Sequence, residues 1–254
     1  MLNDFVMVKH KLSWDLPYIH IYPIADVHIG SAEFNEKLFH TWVKTVQEDK
    51  FGYVVIAGDM LNNGVKTSKT NVYEEVMRPS QQKEYLYQEL KPIKDKILGA
   101  CGGNHEYRNI REVDDDPLYD VFCRLGIEDR YRQNACFLKV NLGTAKKGRQ
   151  VSYCIVLVHG KSRNKLQKWQ AYVEGADIII SGHTHNPEES PPCKLRVDMH
   201  NETVSVVEFT SVVCMSFQEY GGYALRGLYL PNASKRFQKL TLDGKTKHVG
   251  YEHK

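Results

Sequence analysis

The chain has 254 residues, with 34 Lys+Arg against 31 Asp+Glu, 42% hydrophobic, 11% aromatic and 26% charged. That balance is ordinary for a globular protein long enough to bury a core, and it excludes collagen, coiled coil and disorder. A net charge of +3 does not announce a polyanion binder, but residues 1–127 carry 15 basic and 19 acidic side chains and residues 128–254 carry 19 and 12, which fits one face meeting an anion.

The opening Met1 to His10 has no basic start and no long apolar core, so it does not read as a secretory signal. No stretch approaches the ~20 apolar residues of a membrane helix, and no membrane partner is expected. The six cysteines are scattered without a C-x-x-C pair. Cys101 and Cys154, in apolar runs, read as core residues, and a reducing cytoplasmic setting is expected.

Tyr18–Ala25 predicts a strand running into Asp26. The i, i+4 spacing of Phe34, Leu38, Trp42 and Val46 predicts a helix, and Tyr53–Ala57 a strand ending in Gly58-Asp59. A second helix is expected after Pro79, with Ser80 as N-cap and Leu86, Leu90 and Ile93 on its apolar face. Lys96–Cys101 predicts a strand before Gly102-Gly103-Asn104-His105, and Leu118–Leu125 a helix after Pro117. Tyr153–Val158 runs into His159, and Ile178–Ile180 into Ser181-Gly182-His183. The near-continuous Val/Ile/Leu content of these runs predicts strands buried on both faces. From Glu202 the pattern turns to β, with strands at Thr203–Phe209, Tyr223–Leu230 and Phe237–Leu242. Gly221-Gly222 reads as a strand connection rather than a phosphate loop. No repeat or linker interrupts the chain, so residues 1–254 are expected to form a single domain. Alternating strands and helices followed by strands argue for a mixed α/β core, whose ligands bind beyond the carboxyl ends of the strands.

Every polar cluster sits at such an end. In order they read Asp26-x-His28, Gly58-Asp59, Gly103-Asn104-His105-Glu106, His159-Gly160 and Gly182-His183-Thr184-His185. Any one of them is a common turn; Asp198-Met199-His200 also matches D-x-H, lacks a preceding strand and reads as accidental. All five in sequence, holding five of the 11 histidines, point to a site.

With these five blocks, the sequence resembles the calcineurin-like metallophosphoesterase superfamily from Asp26 to His185. The resemblance implies a four-layer α/β metallophosphoesterase fold, with two mixed β-sheets packed face to face, flanked by helices. It also implies two divalent metal ions at the strand ends, manganese first, with iron, zinc, cobalt or magnesium as alternatives. Asp26, His28 and His185 would take one ion, Asn104, His159 and His183 the other, and Asp59 would bridge. His105 would stand by the leaving group as a catalytic residue outside the metal ligands. Two cations about 3.5–4 Å apart need an anionic bridge, and together they generate hydroxide near neutral pH. Nitrogen and oxygen ligands without thiolate suit such metals.

Protein Ser/Thr phosphatases of the superfamily read G-D-x-x-D-R-G at the second block. Here Gly58-Asp59-Met60-Leu61-Asn62-Asn63-Gly64 puts Asn63 where their phosphate-binding arginine stands. Asp26-Val27-His28-Ile29-Gly30 is similar to the opening block of SbcD-type nucleases, while the 69 residues after His185 are expected to complete the second sheet without room for a capping domain. Three loops are expected to rim the site: residues 60–79 with Lys66, Lys69 and Arg78; residues 106–116 with Arg108 and Arg111; and residues 159–168 with Lys161, Arg163, Lys165 and Lys168, followed by Trp169. Arg108, Lys161 and Arg163 are the candidate substrate-binding residues, since basic groups beside aromatics suit a phosphate backbone and stacked bases. The expected activity is metal-dependent hydrolysis of phosphodiester bonds, nuclease-like on DNA or RNA or acting on nucleotides. The alternatives are a phosphomonoesterase, a cyclic-nucleotide phosphodiesterase, and a non-catalytic scaffold like the retromer-type relatives.

Overall fold

The computed structural model describes residues 4–66, 68, 72–145, 148–190, 192–228, 231 and 236–253, so Lys69 lies outside the described residues. The first half of the chain gives β1 (Val8–Lys11), β2 (Tyr18–Ile24), α1 (Glu36–Glu48), β3 (Gly52–Ala57), α2 (Pro79–Leu90), β4 (Ile97–Cys101), α3 (Asn104–Val113) and α4 (Pro117–Leu125). Next come β5 (Tyr131–Arg132), β6 (Ala135–Ala145), β7 (Arg149–Val158), α5 (Arg163–Gln170), β8 (Ile178–Ser181) and β9 (Glu188–Ser190). The last stretch gives β10 (Cys193–Asp198), β11 (Thr203–Glu208), β12 (Thr210–Val213), α6 (Gly222–Arg226), β13 (Gln238–Asp243) and β14 (Val249–His253).

Two six-stranded mixed sheets result, ordered β14-β13-β2-β3-β4-β5 and β1-β6-β7-β8-β12-β9. Alternation within the strands builds the layers. Ile19, Ile21, Val55, Ala57 and Leu98 face Leu138, Val140, Ile155, Leu157 and Ile180 in a core between the sheets. Tyr22, Ile24, Val54 and Ile56 point the other way, against Phe39, Trp42 and Val46 of α1, Leu86 of α2 and Phe122 of α4. Val156, Val158 and Ile179 cover the outer face of the second sheet against Leu166 of α5. This is the four-layer metallophosphoesterase fold: helix, sheet, sheet, helix.

Several local expectations change. The N-cap of α2 is Arg78 rather than Ser80, because Pro79 takes the first helical position and Gln81 Oε1 accepts the Arg78 N–H at 2.9 Å. Ile93 falls in a 3-10 turn, Lys91–Lys96, since Pro92 lacks the N–H that would prolong the helix. Two of the expected loops are largely helical, as α3 and α5. Ser162 caps α5, its Oγ accepting the Lys165 N–H. The strand expected from Tyr223 is the short helix α6, where Ala224, Leu225 and Arg226 are all good helix formers; residues 229 and 230 lie outside the described residues. Gly221-Gly222 therefore leads into a helix rather than joining strands. The strand at Thr203–Glu208 forms, but it pairs with β10 in a separate two-stranded ribbon. Cys101 is buried as expected, whereas Cys154 is only half-buried.

β2 and β3 are joined by α1, whose far end is closed by a side chain from another element. Lys96 Nζ donates to the carbonyls of Val46 (2.7 Å), Gln47 (3.1 Å) and Asp49 (2.6 Å). These carbonyls lie at a helix C-terminus, where backbone acceptors have no partner within the helix. Replacing Lys96→Met keeps the stem and removes the donors. The expected cost is about 1–3 kcal/mol, as for hydrogen bonds made by a charged group, read as a lower urea midpoint at unchanged slope.

Candidate metal centre

β2, β3 and β4 are parallel to one another, as are β7 and β8. Asp26, Asp59, Asn104, His159 and His183 follow the carboxyl ends of these five strands. Each sheet thus delivers its polar cluster to one edge of the sandwich. The chain then turns sharply: Asp26, His28, Asp59, His183 and His185 all have φ between 52° and 73°. Non-glycine residues take this left-handed conformation at a cost of about 1–3 kcal/mol each, and Asp and His are among those that tolerate it. The turns are tied together by main-chain bonds, from Asp26 N to Gly58 O, His28 N to Asp59 O and Gly182 N to His159 O, all at 3.1 Å.

Inside these turns the side chains converge. His185 Nε2 lies 3.3 Å from Asp26 Oδ1 and 3.2 Å from His28 Nε2. On the other side, Asn104 Oδ1 is 3.0 Å from His159 Nε2 and 2.7 Å from His183 Nδ1. Asp59 lies between, with Oδ2 3.1 Å from His159 Nε2, 3.8 Å from His105 Nε2 and 4.0 Å from His28 Nε2. Three groupings are close enough to hold metal: Asp26, His28 and His185; Asp59, His159 and His183; and His28, Asp59 and His105. His105, expected outside the ligand set, is thus near enough to join one of them. Its backbone N–H also donates to Asp59 Oδ1 at 2.8 Å, directing the positive end of α3 at the carboxylate.

The donor chemistry fits a cation. His159 Nδ1 donates to Ala57 O at 2.8 Å, so a neutral ring turns a lone pair from Nε2 toward Asp59 Oδ2 and Asn104 Oδ1, neither of which can donate. Asp26 Oδ1 is buried without a hydrogen-bond partner, although His185 lies nearby. Only a proton or a metal ion reconciles such a set. The titration of the groups says the same. Burial alone would raise the Asp59 carboxyl, but the imidazoles of His159 and His105 outweigh it and hold it well below the usual range. Burial would likewise lower His159, yet the Asp59 carboxylate pushes it up to about 10. Burial would also lower His185, and Asp26 raises it instead. His28, His105 and His183 are lowered, chiefly by burial.

Of the other expected residues, Arg108 is half-buried beside the centre, with Nη2 3.4 Å from the Asn62 carbonyl that also accepts His105 Nδ1 at 2.6 Å. Lys161 and Arg163 are exposed just after His159, and Arg163 pairs with Glu188 at 3.0 Å. Trp169, taken with the basic cluster, packs against the core under α5. Asp198-Met199-His200 lies in an exposed turn outside the centre, where Asp198 Oδ1 accepts the N–H groups of His200 and Asn201.

One residue of the centre had no assigned role. Glu106 is fully buried, and its carboxylate accepts four main-chain N–H groups: Asp59 (2.9 Å) and Gly103 (2.8 Å) at Oε2, Met60 (3.0 Å) and Leu61 (3.4 Å) at Oε1. It joins the loop after β3 to the loop after β4. Burial and the Asp59 charge push its carboxyl up to about 7 against the pull of these donors. The spacing held a signal, since Glu three residues after Gly103 is the capping-box position of α3. The two loops are also close-packed: a Cβ on Gly58, at φ 82°, would come within 2.5 Å of Gly103 N.

A family model described as calcineurin-like phosphoesterase matches residues 19–187. No curated protein matches the sequence. Solved structures similar to this chain include a conserved uncharacterised protein, described as a predicted phosphoesterase, from Streptococcus pneumoniae (12% identity, TM-score 0.41, covering 94% of this chain and 99% of that one). Others are a metallophosphoesterase from Sphaerobacter thermophilus (12%, 0.42, 93% and 88%) and a novel phosphatase from Mycoplasma pneumoniae (10%, 0.41, 93% and 93%).

Glu106→Gln is isosteric, but it turns an NH2 group toward two N–H donors. The expected loss is about 1–3 kcal/mol of folding stability together with weaker retention of divalent metal. Urea unfolding and metal stoichiometry after dialysis read the two effects; a variant matching the parent in both would show that Glu106 does not hold the loops.

Proposed function

The chain belongs to the calcineurin-like phosphoesterase family, and from that premise we propose that it is a metal-dependent phosphodiesterase acting on a polynucleotide. The observation that carries the reading is the convergence of Asp26, Asp59, Asn104 and five imidazoles beyond the carboxyl ends of β2, β3, β4, β7 and β8. Asp26, His28 and His185 would hold one divalent ion, Asn104, His159 and His183 a second, and Asp59 both. Bound there, such ions supply Lewis acidity, which activates water and neutralises charge on the phosphoryl oxygens.

The chain's own groups do the rest. Ala57 O fixes the His159 ring through Nδ1, leaving Nε2 to the centre. Asn62 O does the same for His105, so that the ring, once it has taken up a second proton at Nε2, hands that proton to the departing oxygen and is left neutral with its Nδ1–H on Asn62 O. Asn63, which is buried, brings a neutral amide where protein phosphatases carry a guanidinium, and this favours the single charge of a diester over the double charge of a monoester. Lys161, Lys165 and Lys168 are exposed on and before α5, beginning two residues after His159, where they suit a polynucleotide backbone.

A panel of single- and double-stranded DNA, RNA, cyclic nucleotides and aryl mono- and diesters, each with manganese, zinc and magnesium, tests the reading. Polynucleotide cleavage with binding that weakens steeply in salt is expected. Neutralising Lys161 and Lys165 to Gln removes two phosphate contacts and flattens the log–log salt slope by about 1.4–1.8, while it affects a small aryl diester much less. An unchanged slope, or turnover confined to monoesters, excludes a polynucleotide track on α5. Failure to retain any divalent metal returns the chain to the scaffold class.

His105→Ala separates catalysis from positioning. Loss of a general acid costs on the order of 10²–10⁴-fold when the leaving group is a sugar alkoxide and little when it is nitrophenolate. Both metals stay bound. Equal losses on the two leaving groups would exclude proton donation by His105.

A further inference from the structure

Helix α3 carries Asn104, Tyr107, Arg108 and Arg111 at i, i+3, i+4 and i+7, a spacing that aligns them along one stripe. The stripe starts in the centre, because Asn104 Oδ1 faces His159 and His183. The buried residues of α3 are polar, Glu106 and Asn109, the latter donating to Asp115 Oδ2 at 3.0 Å. Tyr107 serves no packing role: it is 54% exposed and belongs to none of the three hydrophobic clusters. Arg108 holds a buried Nε with no hydrogen-bond partner, and its Nη2 contact with Asn62 O is long. Arg111 is exposed, with Nη2 3.4 Å from Glu112 Oε1. A helix rises 1.5 Å per residue, so Tyr107 stands about 4.5 Å and Arg111 about 10 Å beyond Asn104 along the axis. A strand leaving the centre along this helix would therefore meet Tyr107 first and the two arginines after it. His105 opens the same helix, so the strand on this side is the leaving-group strand.

An exposed aromatic followed by two guanidinium groups is the equipment of a single-strand platform, because every base offers a π-face and each phosphate a partner for arginine. A paired base is already stacked and cannot take that place. We propose that Tyr107 stacks the base adjoining the scissile phosphate on the leaving-group side, that Arg108 and Arg111 hold the phosphates of that strand, and that α3 thereby selects unpaired over duplex polynucleotide. The inference rests on the polynucleotide reading above.

The test compares oligodeoxythymidylate with an abasic oligonucleotide of equal length, which keeps the charges and lacks the bases. Tyr107→Ala is expected to raise KM for the thymidylate strand about 5–150-fold, the range of one base–aromatic stack, with a smaller effect on kcat. Tyr107→Phe restores KM to near the parent value. On the abasic strand, KM is already high and Tyr107→Ala adds nothing. Tyr172→Ala, which removes a tyrosine 88% exposed beyond the far end of α5, controls for general aromatic adhesion and behaves as the parent. An equal rise on both strands, a Phe variant as impaired as Ala, or no rise at all overturns the stack. If the parent enzyme cleaves aryl diesters but neither binds nor cleaves either strand, the polynucleotide reading itself fails. If it cleaves thymidylate and Tyr107→Ala is indifferent, only the stack fails.

Discussion

Two buried carboxylates, Asp26 and Asp59, govern this molecule. Both stand at the ends of parallel strands, around the same histidines, with no lysine or arginine among their hydrogen-bond or ion-pair partners at the described residues. Like charges in a medium of low dielectric repel, and burial penalises each. The chain answers with imidazoles and the helical N–H of His105, and the rings of His159 and His185 are pulled toward the protonated form. A set that draws protons so strongly draws divalent cations for the same reason, since a cation replaces several partial charges with one whole one.

The fold supports that concentration of charge. Residues in left-handed turns are strained, and the centre has five of them that are not glycine. Strain of this size persists only where the surroundings over-determine it. Glu106 meets that requirement from below, gathering four N–H groups from two loops. The apolar core between the sheets meets it from behind, because neither sheet can slide without breaking the contact of Ile21, Val55 and Leu98 with Leu138, Ile155 and Leu157. Around the rim the chemistry divides: α5 offers lysines, and α3 offers an exposed tyrosine followed by two arginines. The polynucleotide proposed above would meet both, since both helices begin within a few residues of a centre side chain.

The strands Tyr18–Ala25, Tyr53–Ala57 and Ile178–Ile180 were legible because residues buried on both faces leave uninterrupted apolar runs. The five polar clusters were legible because they punctuate those runs. The helical parts of residues 106–116 and 159–168 were not. α3 buries Glu106 and Asn109 rather than an apolar stripe, and α5 buries little beyond Leu166 and Gln170, so hydrophobic periodicity had nothing to report. α6 escaped for a related reason, being too short to show a period.

The sequence by itself determined which residues could bind and react, and in what order they follow their strands, since those are matters of side-chain chemistry and local pattern. The tertiary structure decided which of them meet. Asp26 and His185 are 159 residues apart in the chain and 3.3 Å apart in space, because β2 and β8, strands of different sheets, end at one edge of the sandwich. The contact of Asn104 with both His159 and His183, the hold of Glu106 on two loops, and the packing of the half-buried Trp169 against the outer apolar cluster depend equally on long-range packing. No short window of sequence encodes such distances; they arise only when two sheets close on a shared core and bring the strand ends together.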